Sequence, residues 1–206
     1  METKYYLNIL QEQIHSTIIA TIDEEGLPVT RVIDIMLVDD NGLYFITAKG
    51  KKFYKQIIDK KYVSITGMTS GNGTMGKKSI SIRGKVRSIG KTLLKEIFDK
   101  NQYMNEIYPS KESQMELEVF QLYEGQGEYF DLSTKPITRK NFTIGNIKVI
   151  NYGYFITNEC RGCKICYSKC PQKCIVVGNP CVIKQENCLH CGNCISVCPF
   201  RAIEER

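Results

Sequence analysis

Ten cysteines stand between Cys160 and Cys198, and the first 159 residues contain none. A chain divided that sharply joins two units with different chemistry. In a secreted chain, this many cysteines would point to disulfides. Here Met1-Glu2-Thr3-Lys4 is followed by no long apolar stretch and no cleavage site, so no signal peptide is expected. No apolar run approaches the ~18–20 residues of a membrane span. The expectation is a cytoplasmic protein with no membrane partner, whose cysteines hold metal or clusters. With 206 residues, 42% apolar and 24% charged, the chain has the composition of a globular protein of one or two domains. Collagen, a disordered tail and a disulfide mini-protein are excluded.

The cysteines form two runs. The first is Cys160-x2-Cys163-x2-Cys166-x3-Cys170-Pro171, and the second is Cys188-x2-Cys191-x2-Cys194-x3-Cys198-Pro199. The copies are offset by 28 residues, an internal duplication. In the two-cluster run of this spacing, three close thiolates grip one 4Fe–4S cluster and the fourth reaches across to the other. Cys160, Cys163, Cys166 and Cys198 are therefore expected to hold one cluster, and Cys188, Cys191, Cys194 and Cys170 the second. Three ligands must come from one tight turn, whose amides also hydrogen-bond the cluster sulfurs. The following proline opens a short helix where no amide donor is needed. The alternatives are disulfides and zinc, although structural zinc usually takes pairs of cysteines set well apart. Two cysteines are left over. Cys174 follows Cys170 as Ala202 follows Cys198, a small packing position, and Cys181 follows Gly178-Asn179-Pro180 in a strand. Free cysteines of this kind either pack as small hydrophobes or sense redox state. From Tyr154 to about Ile203 the chain resembles bacterial two-cluster 4Fe–4S ferredoxins.

The formal charge of +6 is a weak guide to nucleic acid. Each cluster with its four thiolates carries a net negative charge, so two sites lower the total to about +2. A bound phosphate of ~−1.5 to −2 would bring it near zero. No recognition motif is present, and no nucleic-acid partner is expected.

Upstream of the cysteines, residues 4–15 have helical spacing at Leu7, Leu10 and Ile14. Strand-like runs follow at Thr17–Ile22, Val29–Val38, Leu43–Thr47, Tyr62–Met68 and Ser79–Ile89. Two more, Glu116–Tyr123 and Glu128–Leu132, lie around a turn at Glu124-Gly125-Gln126-Gly127. Helices are expected at about Lys52 to Asp59 and Thr92–Tyr108, the latter ended by Pro109. Ser133 to Asn146 reads as a connector. Short strands, hairpin turns and a few helices predict a small antiparallel barrel. Gly71-Asn72-Gly73-Thr74-Met75-Gly76 matches G-x-G-x-x-G, and with Lys77 it comes within one residue of a P-loop. Both motifs need a helix next, whereas an alternating strand follows, so Thr69–Lys77 is expected to be a hairpin loop. His15 and His190 are expected to be structural or tuning residues, and no nucleophile–base pair is identified.

Lys49, Lys51 and Lys52, with Gly50 among them, lie between a strand and a helix. Free amides, a positive helix end and mobile ammonium groups suit a phosphate there. The other reading is a solvated basic loop. In the strand at Ser79, Arg83 alternates away from Ile80, Ile82 and Val86, which turns it toward a ligand rather than the core.

Three segments carry a second resemblance: Arg31-Val32-Ile33, Leu43-Tyr-Phe-Ile46-Thr47-Ala-Lys49-Gly-Lys51-Lys52, and Gln56-Ile57. Over roughly residues 5–145 the chain resembles the FMN-binding split-barrel family that includes pyridoxamine 5′-phosphate oxidase and nitroimidazole-reductase-like proteins. The resemblance implies an FMN whose phosphate is held by Arg31, Thr47, Lys51 and Lys52, with Val32 and Ile46 beside them. It also implies a homodimer with flavin at the subunit interface. The chain lacks Trp, and the cysteine module replaces the family's substrate-binding C-terminal segment, so oxidation of a B6 vitamer is not expected.

The expected fold is α+β. An N-terminal antiparallel split β-barrel with flanking helices occupies 1–145, and a small ferredoxin-like domain occupies 146–206. The expected cofactors are FMN and two 4Fe–4S clusters. The expected activity is transfer of electrons from a ferredoxin-like protein donor through the clusters to FMN and on to a small organic acceptor. A non-catalytic electron-transfer or redox-sensing protein is the alternative.

Overall fold

Alternation of apolar and polar side chains builds the N-terminal sheet. The computed structural model describes residues 2–71, 73–150 and 152–206. Eight strands form the sheet: β1 (Ser16–Ile22), β2 (Pro28–Asp34), β3 (Leu37–Asp39), β4 (Gly42–Ala48), β5 (Tyr62–Met68), β6 (Lys78–Ser88), β7 (Leu117–Asp131) and β8 (Thr138–Ile144). Their order is β2-β1-β5-β6-β7-β4-β3, with β8 also paired to β7. The first and last strands of that path, β2 and β3, are joined by only Ile35 and Met36. That short link draws the two ends of the path toward each other, so the sheet curls into a half-barrel. The predicted single strand Val29–Val38 is in fact these two strands. Its chain leaves β1 at Asp34↔Ser16 and reaches β4 at Leu37↔Tyr44.

β4 is buried over Gly42–Thr47. Phe45 on it lies 6.0 Å from Phe53 and 5.8 Å from Phe120, centroid to centroid, so aromatic packing anchors the middle of the barrel. β6 shows the expected alternation, with Ile80, Ile82 and Val86 inside and Arg83 outside.

Three other sequence expectations are corrected. Glu124–Gly127 is not a turn, because β7 runs straight through it. Its glycines are there for close approach instead. A Cβ on Gly125 would stand 2.7 Å from the Arg83 carbonyl oxygen, one on Gly84 2.3 Å from that of Glu124, and one on Gly127 2.3 Å from the Phe142 ring. The helix expected at Thr92–Tyr108 is broken into α3 and α4, Leu94–Lys100 and Met104–Ile107. At the break, Asn101 Nδ2 donates to the carbonyls of Ile97 and Met36 at 2.9 and 3.1 Å. The connector Ser133–Asn146 contains β8. At the N-terminus, an α-helix over Glu2–Asn8 passes into a π-helical turn over Ile9–Ile14. Thr69–Lys77 joins β5 to β6, and Asn72 within it lies outside the described residues.

The chain divides into two compact units, neither of them one continuous stretch. One comprises Met1–Ser70, Ser79–Glu128 and Phe142–Lys148. The other comprises Gly71–Lys78, Tyr129–Asn141 and Val149–Arg206.

In the second unit, four short strands carry the cysteine runs: β9 (Tyr154–Ile156), β10 (Ile175–Val176), β11 (Val182–Ile183) and β12 (Ile203–Glu205). β9 pairs with β12, and β10 with β11. The first strand of each repeat thus pairs with the last strand of the other. Backbone geometry repeats at the same offset as the sequence. Gly162 and His190, Lys164 and Gly192, and Lys173 and Arg201 all have φ between 50° and 77°. Each pair is 28 residues apart. Among the described residues, no helix is long and apolar enough to cross a membrane.

Candidate functional site

Two cavities in the second unit are lined by cysteines. One is ringed by Cys160, Cys163, Cys166 and Cys198, with Cys181 beside them. The other is ringed by Cys170, Cys188, Cys191 and Cys194, with Cys174 beside them. These are the two sets of four expected from the sequence. The interleaved strand pairing explains the crossing of the fourth cysteine, because it brings Cys198 to the first loop and Cys170 to the second. Among the described residues, no three Cys, His, Asp or Glu side chains converge tightly enough to hold a single metal ion. Four thiols around each cavity are the ligand set that a 4Fe–4S cluster takes.

Amides point at these sulfurs. Gly162 N–H donates to Cys160 Sγ and His190 N–H to Cys188 Sγ, both at 3.4 Å and both two residues after the cysteine. Ala202 N–H reaches Cys198 Sγ at 3.4 Å, and Cys181 N–H reaches Cys160 Sγ at 3.5 Å. Burial opposes ionisation of Cys160, but the amides of Cys181 and Gly162 outweigh it and hold its pKa below the ordinary thiol value. Hydrogen bonding from Cys174 acts in the same direction on Cys188. Burial pushes Cys166 and Cys194 up. Cluster iron would supply the compensating charge that these buried sulfurs lack. The surplus Cys174 and Cys181 are both buried, and Cys174 Sγ lies 3.5 Å from Cys170 Sγ.

In the first unit, the candidate phosphate site lies where β4 ends and α2 (Lys52–Lys60) begins. Lys51 occupies the N-cap in an extended conformation, and no side chain caps the helix. Thr47, 2% exposed, has a buried Oγ1 with no hydrogen-bond partner. Arg31 donates to Thr21 Oγ1 at 2.6 Å and to Gln56 Oε1 at 2.9 Å, and its guanidinium lies 4.3 Å from the centre of the Phe53 ring. Burial lowers its pKa from the usual value. Gln56 and Lys52 also line an open cleft with Ile22, Asp23, Lys55 and Asp59. An uncapped helix start, an unpaired buried hydroxyl and a desolvated cation fit a phosphate.

The structure thus gathers Arg31 and Lys52 around Gln56. It places Thr47 four residues before the exposed N-cap Lys51, with exposed Lys49 in the turn between. The Ile46 side chain packs in the core with Met36, Leu37 and Ile97, so only its main chain is available to a ligand. Val32, 66% exposed, and Arg83 stand on the outward face of the sheet, across β1 and β5 from one another and away from the inward-facing Arg31.

Sequence reading missed one constellation. Tyr103 Oη donates to Asp34 Oδ2 at 2.6 Å and lies 3.0 Å from His15 Nε2, while Ser16 Oγ donates to Asp34 Oδ1 at 2.6 Å. His15 adopts φ 58°, ψ −68° directly after the π-helical turn, a strained conformation for a residue with a side chain. Burial and the Asp34 hydrogen bond raise the Tyr103 pKa, so its phenol keeps its proton. His15 and Tyr103 are 88 residues apart, and no local pattern joins them.

Comparison with known proteins agrees with both halves. Residues 159–202 match the 4Fe-4S dicluster domain family. Over 48 residues the chain is 46% identical to one component of the ion-translocating oxidoreductase complex of Methanosarcina acetivorans. That stretch is 23% of this chain and 18% of the component. A NimC/NimA family protein of Clostridium acetobutylicum superposes with TM-score 0.56 at 21% identity, covering 70% of this chain and 94% of that one. PhzG of Burkholderia lata, solved with tetrahydrophenazine-1-carboxylic acid, superposes with TM-score 0.53 at 14% identity, covering 72% and 87%. At such identities the likeness establishes the fold. Residues 7–128, more than half the chain, match the pyridoxamine 5′-phosphate oxidase family, and the chain belongs to it.

Proposed function

We propose that the protein is a flavin iron–sulfur reductase, taking electrons from a ferredoxin-like donor and delivering them to a small organic acceptor. What carries this reading is the pair of separate cavities, each ringed by four thiols, in a chain whose other unit belongs to the pyridoxamine 5′-phosphate oxidase family. A flavin-type unit and a cluster-type unit on one chain point to redox electron transfer. When bound, 4Fe–4S clusters supply one-electron steps and FMN joins them to two-electron chemistry.

Cys160, Cys163, Cys166 and Cys198 hold one cluster, and Cys188, Cys191, Cys194 and Cys170 the other. Arg31, Thr47, Lys51 and Lys52, with the uncapped amides of α2, bind the FMN phosphate, and Lys49 adds charge. The main chain of Ile46 and the side chains of Val32 and Arg83 are further groups that would contact FMN. The outward face of β2, β1 and β5 carries Val32, Ile18, Ile22, Tyr62 and Met68 exposed among Thr, Ser and Ala. An apolar sheet face of that kind suits a second copy of the chain, which supports a homodimer. The cytoplasm, where thiols stay reduced, is the fitting compartment.

The test is anaerobic purification followed by iron and flavin counts, then turnover with a reduced ferredoxin and a panel of nitroaromatics, quinones and enones. Two clusters and one FMN per chain with turnover are expected. Cluster absorbance without stoichiometric flavin overturns the reading. The phosphate site has its own test. Thr47→Val is expected to weaken FMN binding about tenfold while leaving riboflavin unaffected, since a hydrogen bond to a charged group contributes about 1.5–3 kcal/mol. A non-catalytic electron carrier is favoured by the likeness to a component of an oxidoreductase complex, and absence of turnover across the panel would support it.

A further inference from the structure

The two thiol-ringed cavities differ at their mouths. The Cys160 cavity is lined by Lys164, Pro199 and Phe200 as well as its cysteines. Phe200 is 47% exposed, Cys163 is exposed, and Arg161 and Ile165 are exposed beside it. Neither Arg161 nor Lys164 has an ion-pair partner among the described residues. Glu159 is the one carboxylate adjacent in sequence. Lys164 sits in the left-handed conformation at φ 67°, fixed by the turn that presents Cys163. The Cys188 cavity has no charged side chain in its lining. Tyr154, Pro171, Gln172, Leu189 and Asn193 stand there instead. A segment of the same unit is tied to that side. Ile137 N–H donates to Gln172 Oε1 at 2.9 Å, and Asn187 Nδ2 donates to the Ile137 carbonyl at 3.1 Å.

We propose that the Cys160 cavity is the entry port for electrons, and that Arg161, Lys164 and Phe200 form the docking surface for an acidic protein electron donor. The proposal rests on the cysteine region being a two-cluster electron carrier. Basic side chains at the rim steer a negatively charged partner and set the salt dependence of association. Phe200 and Ile165 supply the apolar contact that holds the encounter once formed. The Cys188 cavity has an uncharged lining, its neighbouring cation is Arg139, which acts on Cys188, and a segment of its own chain is fastened beside it. One electron leaves the reduced donor, which is oxidised by one unit. A cluster held by Cys160, Cys163, Cys166 and Cys198 would be reduced by one unit. No bond forms or breaks, and no proton is required.

The experiment measures association of holoprotein with an oxidised, acidic two-cluster ferredoxin by biolayer interferometry, across a range of salt concentrations. The Arg161→Glu/Lys164→Glu double variant is expected to weaken binding at least tenfold at low salt and to flatten the salt dependence. Phe200→Ala is expected to weaken binding equally at all salt concentrations. Lys111→Glu, on an exposed lysine of the other unit, should bind as wild type does. Iron content per chain verifies that each variant is loaded. Reduction by dithionite separates the two levels of the claim. If wild type holds no reducible clusters, the underlying reading fails. If clusters reduce normally but ferredoxin does not bind, or binds the double variant as well as wild type, the docking proposal fails alone.

Discussion

The two units are held together by different means. The barrel core is hydrocarbon: Phe45, Phe53, Phe120 and Ile65 are buried against one another and their apolar neighbours. The core of the cysteine region is made largely of its own candidate ligands. Cys166, Cys170, Cys188 and Cys194 are buried together with Cys174, Cys181, Ile175, Ile183 and Ile203. A region that small rarely builds a sufficient apolar core, and metal commonly supplies what is missing. The contrast teaches that a cofactor of the first unit would enter a finished fold, whereas one held by the cysteines would be part of the fold it enters.

The strongest way to break that contrast is to remove iron. Anaerobic chelation should strip hydrogen-exchange protection from β9 to β12 while β4 and β7 keep theirs. For scale, structural zinc contributes about 10–16 kcal/mol to small metal-bound folds. Simultaneous loss of protection in β4 would erase the distinction. Phe45→Ala probes the other side, and is expected to cost the barrel about 3–5 kcal/mol in denaturant titration with iron per chain unchanged. Gly84→Ala, which forces a methyl against the Glu124 carbonyl, should cost about 1–3 kcal/mol in the same titration. The smallest effect sharpens the comparison. Arg201 sits at φ 51°, and Arg201→Gly should raise the thermal midpoint of holoprotein slightly, by relief of about 1 kcal/mol.

The cysteine sets were legible because their spacing encodes which sulfur goes where, and a duplication repeats the code. The strands Tyr62–Met68 and Ser79–Ile89 were legible because one face of each is buried and alternation records it. Gly125 and Gly127 misled because a glycine reads the same whether it turns the chain or makes room for a neighbour. The break at Asn101 depends on the Met36 carbonyl, 65 residues away. The meeting of His15, Asp34 and Tyr103 likewise depends on tertiary packing, as does the unpaired state of Thr47 Oγ1. None of these leaves a periodic trace.

The exchange of strands between the repeats bears on ancestry. A peptide comprising one repeat would have its opening strand without a mate and its fourth thiol aimed at nothing of its own. Two such peptides, related by a dyad, would complete each other. A short gene whose product worked only as a self-associated pair is thus a sufficient precursor for this region, and tandem fusion would convert that association into a single tethered chain.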